Sequence, residues 1–341
     1  MTAFAFTVGM PELPEVQTTV QGLNRRISGL TIKDAWTDYG SSFHKGKDSI
    51  KDAPYFVFFR KQIAGARVIQ VDRKAKNILI RIQKGASHST ILIHMKMTGH
   101  VMYGSYAFDG TKARDPWTPA PGERASLSDP FNRFIHFVLT FSNSKNVVLS
   151  DMRKFAKVTL IADADLEKTI HLEHIGPDPL EKTFTFEVFR DRLQRRPTGR
   201  VKTVLMDQSV IAGVGNIYSD EALWRAGLHP EERVGNIPDL LLKKLYASTL
   251  QVLKKGIDFG GDSMSDYRNI DGERGKFQEQ HRAYRRAGKK CDKPGCPGMI
   301  IRKVVGGRSA HFCDTHQKIL GRQPAKAKRP VAKISAVKKP V

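Results

Sequence analysis

The 341-residue chain has only three cysteines, and all three fall between residues 291 and 313. So few cannot frame a disulfide-stapled fold, and their crowding points to a metal rather than to an oxidising compartment. No apolar run approaches the roughly 18 residues of a spanning helix, which excludes an integral helical membrane protein. No basic stretch precedes an apolar one at the N-terminus, so no secretory signal is expected. Acidic residues are outnumbered: 34 Asp and Glu face 57 Lys and Arg, a formal net charge of +23. A charge this large favours a polyanionic partner, nucleic acid first. Part of it lies in residues 322–341, which carry seven cations, no acid, and a Lys/Ala/Pro composition read as a disordered tail. The remainder still carries +16. A hydrophobic fraction of 40% excludes global disorder. The length fits two domains and a small third module.

Pro14 suits a first helical turn and Glu15 the helix dipole. Val16, Val20, Leu23 and Ile27 follow at spacings of 4, 3 and 4, which predicts a helix burying one face and ending at Gly29. From about 30 to 163 the period becomes two. Strands are predicted at 78–82, 90–94, 135–141, 147–149 and 158–161, as in an antiparallel sandwich or barrel. The stretch 104–130, rich in Gly, Pro, Asp and Ser, reads as an exposed loop. Residues 174–180, with two prolines and a glycine, read as an inter-domain linker. Beyond them the period is helical. Two helices with a glycine-rich turn are expected over 201–227, then a long amphipathic helix from about Asn236 to Gly256.

Three constellations carry chemistry. Cys291 and Cys296 are separated by four residues, Cys313 and His316 by two, and the pairs by sixteen, with a predicted hairpin turning at Gly306-Gly307 between them. Three thiolates and an imidazole make a closed, structural zinc site, and the metal supplies stability so small a hairpin lacks. The second is Gly213-Val214-Gly215-Asn216-Ile217-Tyr218. It is either a tight turn or a phosphate contact at a helix start, with Asn216 as the cap. The third pairs the basic strand 73–77 with residues 151–155. Each mixes cations with an apolar residue, and reads either as a solvated face or as phosphate contacts plus a wedge for DNA.

These segments occur in a recognisable order: PELPEV at 11–16, HMKMTGH at 94–100, DMRKF at 151–155, HIGPDPL at 174–180, LMDQSVIAGVGNIYSDEALWRAGLHP at 205–230, and the cysteine hairpin. Together they resemble the bacterial formamidopyrimidine-DNA glycosylases of the Fpg/Nei superfamily, from Met10 to about Leu320. The resemblance implies an α+β fold of two main domains. An N-terminal antiparallel β-sandwich with flanking helices (10–174) leads through a linker (175–183) to a helix-two-turn-helix domain (184–285) and a zinc-finger hairpin (286–321). Residues 1–9 are an extension that is non-native or removed, and 322–341 the basic tail. It implies a cytoplasmic monomer acting on duplex DNA with oxidised bases or abasic sites, with one structural zinc ion and no membrane partner.

The resemblance also implies roles. Pro11 is the nucleophile, forming a Schiff base with the sugar. Glu12 is its general acid/base, and Lys76 the catalytic lysine at the lesion phosphate. Asn216 and Arg308 clamp phosphates. Glu15 and Glu221 match acidic residues of the active centre. Met97, Arg153 and Phe155 fill the gap left by an everted nucleotide. The implied reaction is excision of oxidised purines followed by β,δ-elimination. Oxidised-pyrimidine specificity of the endonuclease VIII kind is the alternative, with residues 259–282 as the lesion-reading loop. Three departures stand out. Pro11 is not second in this reading frame, and an internal proline nitrogen is a non-basic amide, so translation from Met10 or removal of the leading segment is required. Without it the chain binds DNA and does not cut. His316 replaces the commoner fourth cysteine. Arg153-Lys154 stands where two arginines are usual, and lysine lacks the bidentate fork.

Overall fold

The computed structural model describes residues 10–264 and 266–320; the leading extension and the basic tail lie outside them. Helix α1 (Leu13–Ile27) begins where Pro14 and Glu15 predict. Glu15 Oε2 accepts the Glu12 backbone N–H at 2.7 Å, which fixes the entry of the chain. Val16, Val20, Leu23 and Ile27 are all buried in the N-terminal core, and Gly29 follows in the left-handed region at φ 84°.

The sandwich is built as expected from alternating strands. β1 (Ile32–Thr37) precedes α2 (Ala53–Ile63), then β2 (Arg67–Lys74), β3 (Asn77–Lys84), β4 (Ser87–His94) and β5 (His100–Gly104) follow. A small hairpin, β6 (Tyr106–Phe108) and β7 (Trp117–Pro119), precedes β8 (Ile135–Phe141), β9 (Asn146–Ser150) and β10 (Lys157–Ala162). Two four-stranded antiparallel sheets result, ordered β1-β8-β9-β5 and β10-β4-β3-β2. Ile78, Ile80, Ile91, Ile93, Phe137 and Leu149 share one core with the apolar face of α1.

Two sequence expectations need correction here. Residues 104–130 are not simply an exposed loop. Trp36, Phe108 and Trp117 cluster, with centroids 5.1–5.9 Å apart, and Leu127 is buried, so the segment folds over the open face of the sheet. The basic segment 73–77 is not one strand: Arg73 and Lys74 end β2, Ala75 and Lys76 make a tight turn, and Asn77, opposite Lys74, begins β3, with Ala75 at φ 54°. Arg73 holds the turn by donating to the Ala75 carbonyl at 2.8 Å.

The linker is pinned. Both Asp178 oxygens take Arg73 guanidinium hydrogens at 2.6 and 2.7 Å, and both side chains are buried. Beyond it lie α3 (Phe186–Gln194), α4 (Val201–Met206), α5 (Asn216–Ala226) and α6 (Asp239–Asp258), around a second core that includes Leu205, Tyr218, Leu223 and Leu245. α6 runs through Gly256 rather than stopping there. Gly256 is needed inside the helix because a Cβ would sit 2.5–2.8 Å from the Tyr218 ring and hydroxyl. The final hairpin is β11 (Ile300–Val305) and β12 (Arg308–Cys313). It is anchored to α5 by Asp220, which accepts the His311 backbone N–H at 2.9 Å and pairs with buried Lys202.

Candidate active site and metal centre

The N-terminus of α1 meets α5 at the seam between the two cores. The Leu13 N–H donates to the Gly213 carbonyl at 3.0 Å. This brings the Glu12 carboxylate to the start of α5, where Oε1 accepts the Ile217 N–H at 2.9 Å. Asn216 is therefore not the cap that the sequence suggests. Gly215 holds the N-cap position and Glu12, from about 200 residues away in sequence, supplies the capping oxygens. A Cβ on Gly215 would lie 2.4–2.7 Å from that carboxylate, so only glycine leaves room for it.

Pro11 is buried immediately before this pair. Lys76 reaches the same seam from its turn and donates to the Val214 carbonyl at 3.2 Å. Burial raises the Glu12 carboxyl above its ordinary value, and the Lys76 charge and the α5 amides pull it back. Burial lowers Lys76; the Glu12 and Glu15 charges oppose this, and the Arg308 charge adds to it. Glu15 is pushed up to about 7 by burial and by Glu12 beside it. Its Oε1 receives both the Tyr218 hydroxyl and the Asp262 N–H, each at 2.7 Å. The region carries both signs of charge on buried side chains, the setting in which proton transfer near neutral pH is possible.

A cleft of about 720 Å³ opens from this seam, lined by Met10, Lys76, His94, Met97, Arg153 and Phe155 among others. The three expected wedge residues are neighbours. Arg153 Nη1 lies 3.5 Å from the Met97 sulfur, and its guanidinium sits 4.4 Å from the centre of the half-exposed Phe155 ring. His94 was not singled out from sequence. It lines the same cleft, and burial with the Lys96 and Lys76 charges pushes it down to about 3, so it is neutral. Its Nδ1 accepts the Lys96 N–H at 3.0 Å, which leaves Nε2 as a donor. Only its position two residues before Lys96 in HMKMTGH hinted at it. Asn216 Oδ1 is buried with no protein partner. Arg308 opens β12 on the exposed side. Glu221 is buried on α5. Its oxygens accept the backbone N–H groups of Arg282, Ala283 and Tyr284 at 2.8–2.9 Å, so it holds that segment against α5.

Cys291, Cys296, Cys313 and His316 converge, with ligand atoms all within 4.8 Å of one another. Cys296 and Cys313 sulfurs are 3.6 Å apart, and His316 Nδ1 is 3.4 Å from Cys291 Sγ. A tetrahedral ion with bonds of about 2.3 Å to sulfur places two thiolates about 3.8 Å apart, so the set fits a small tetrahedral metal. Surrounding groups orient the ligands. His316 Nε2 lies 3.1 Å from the Trp224 carbonyl, and the Trp224 indole N–H donates to Cys291 Sγ at 3.3 Å.

Comparison with known proteins decides the family. A family model described as the formamidopyrimidine-DNA glycosylase N-terminal domain matches residues 10–158, and the H2TH domain of the same glycosylases matches 175–268. The formamidopyrimidine-DNA glycosylase of Pelotomaculum thermopropionicum is 32% identical over 310 residues, covering 91% of this chain and all of the relative. The chain belongs to the formamidopyrimidine-DNA glycosylase family. The Bacillus subtilis member is 32% identical over 305 residues, 89% of this chain and 98% of its own. A complex of the Lactococcus lactis Fpg with DNA containing an abasic site superposes with a TM-score of 0.73 at 28% identity, covering 90% of this chain and 99% of that one. MutM bound to DNA containing carbocyclic 8-oxo-G gives 0.72 at 28% identity, covering 90% and 100%. In this glycosylase-family chain the N-terminal match spans Pro11, Lys76, Met97, Arg153 and Phe155. The H2TH match spans Asn216 and Glu221, and the metal cluster lies beyond both.

Proposed function

We propose that this chain is a bifunctional DNA glycosylase and abasic-site lyase that removes oxidised purines from duplex DNA. The observation that carries the proposal is the buried Glu12–Lys76 pair beside Pro11, opening into a cleft rimmed by Met97, Arg153 and Phe155. Solved relatives held on DNA with an abasic site or 8-oxo-G support duplex DNA as the substrate class.

With Met10 removed, Pro11 presents a secondary amine. Its lone pair attacks C1′ of the damaged nucleotide, the bond from C1′ to the base breaks, and the base leaves. Glu12 gives a proton to O4′ as the sugar opens, and the nitrogen loses its own proton to form an iminium. Loss of a C2′ proton then expels the 3′ phosphate, and a second elimination expels the 5′ phosphate. Lys76, Asn216 and Arg308 hold the phosphates flanking the site, and the wedge offsets part of the few kcal/mol that base eversion costs. Zinc in the three-cysteine, one-histidine cluster fixes the hairpin that carries Arg308, and takes no part in the chemistry.

One observation favours a second reading for the chain as written. Met10 precedes Pro11, and an acylated proline nitrogen is no nucleophile. In that form the protein is a lesion-DNA binder without cleavage. Borohydride trapping separates the readings. Covalent capture on an 8-oxoguanine duplex, lost in Pro11→Gly with duplex binding retained, is expected. Capture on thymine glycol alone supports pyrimidine specificity, and binding without capture supports the silent form.

A further inference from the structure

A groove of about 880 Å³ lies on the far side of Phe155 from the seam, between the loop after β1 and the segment that follows β10. It shares His44, Lys51, Lys96 and Phe155 with the candidate active-site cleft, so the two are continuous. Five lysines line it: 47, 51, 96, 157 and 168. Two carboxylates, Asp48 and Asp165, face them. Lysines elsewhere find carboxylates, as Lys74 does with Glu167 and Lys303 with Glu231. Among the described residues none of these five does. Lys51 donates to the Lys154 carbonyl at 2.6 Å, and Lys157 Nζ lies 2.7 Å from His171 Nε2. Burial lowers Lys51 and Lys157; neighbouring lysines lower both further, against the opposing charges of Asp151 at Lys51 and Asp48 at Lys157. Such mutual repulsion costs stability in the free protein and is relieved by a bound polyanion. Ile170, 81% exposed, and half-exposed Phe155 give the groove apolar flanks.

We infer that this groove is a second phosphate-binding track, which carries the DNA backbone past the wedge and away from the lesion. The inference rests on the proposed DNA function and extends it, since none of Lys47, Lys157 or Lys168 belongs to the catalytic or wedge set. Each phosphate neutralised steepens the salt dependence by about 0.9 in log–log slope, or about 3.5-fold in affinity between roughly 50 and 200 mM salt.

The test uses the full chain and duplexes bearing a central tetrahydrofuran abasic analogue, of about one and about three helical turns, roughly 10 and 30 base pairs. Lys47→Gln/Lys157→Gln/Lys168→Gln is compared with the unaltered protein. On the long duplex, the variant's fall in affinity over that salt range is expected to be about 40-fold smaller than the parent's, because three phosphates are no longer neutralised. On the short duplex the two proteins bind alike. Lys47→Gln/Lys168→Gln alters exposed side chains alone and is expected to give about a 10-fold difference on the long duplex. Equal effects on both lengths, or unchanged salt dependence on the long duplex, overturn the track. Inorganic pyrophosphate that binds the unaltered protein, is lost in the triple variant and competes against neither duplex assigns the groove to a small phosphorylated ligand and also overturns it. If the unaltered protein binds neither duplex, the DNA function itself fails.

Discussion

Gly215→Ala isolates the role assigned to Glu12 without touching an ionisable group. The added Cβ would lie 2.4 Å from Glu12 Cδ, 2.6 Å from Oε1 and 2.7 Å from Oε2. Ordinary contact begins near 3.4 Å, so the carboxylate must retreat by about 1 Å. The backbone of Gly215, at φ −137° and ψ −150°, is no obstacle to alanine. Retreat breaks the 2.9 Å bond from the Ile217 N–H and takes the acid off its line to the sugar oxygen. A misplacement of about 1 Å costs about 100-fold in rate, near 3 kcal/mol in the barrier. Single-turnover excision from an 8-oxoguanine duplex measures it, with duplex affinity as the control. The expected result is excision slowed about 100-fold with affinity within about threefold of the parent. A variant that cuts at the parental rate would refute the placement of Glu12 as the proton donor.

Glu15 makes stability depend on pH. Its carboxyl is held at about 7 in the fold against an ordinary 4.5, so the folded state binds more protons across that window. Stability therefore falls as pH rises from about 4.5 through 7, by about 3 kcal/mol in all, and Glu15→Gln flattens that fall in urea titrations made at several pH values. Arg73→Met leaves the Asp178 carboxylate buried without its partner and lowers unfolding free energy by about 3–5 kcal/mol, read from chemical denaturation. Stripping metal with a chelator, or Cys313→Ser, is expected to release zinc and weaken duplex binding together. Unchanged affinity in the stripped protein contradicts the structural role given to the ion. His316→Cys, by contrast, keeps both metal and affinity.

Elements with strong periodicity were legible in the sequence. The 4-3-4 spacing of Val16, Val20, Leu23 and Ile27 depends only on burying one face of α1, and the alternating strands depend only on the pleat. The cysteine hairpin was legible because ligand spacing and the Gly306-Gly307 turn are local. What escaped is non-local. Glu12 caps α5, and nothing within residues 213–218 shows that the oxygen arrives from the other domain. Lys76 lies on a turn rather than a strand because Ala75 takes a left-handed conformation that its residue type does not advertise. Composition made 104–130 read as a loop, since Phe108 and Trp117 pair across a short hairpin and Trp36, distant in sequence, joins them only once the sheet exists. His94 looked like the end of a strand, and its neutrality follows from burial, from Lys96 two residues on, and from Lys76, which the fold brings to it.

The account depends most on a free imino group at Pro11. Its most direct measurement is peptide mapping by mass spectrometry of the borohydride-reduced adduct formed on an 8-oxoguanine duplex. The account predicts a modified peptide that begins at Pro11 and carries the sugar on its nitrogen. An adduct on a lysine, or efficient cleavage by protein in which Met10 still precedes Pro11, would contradict it.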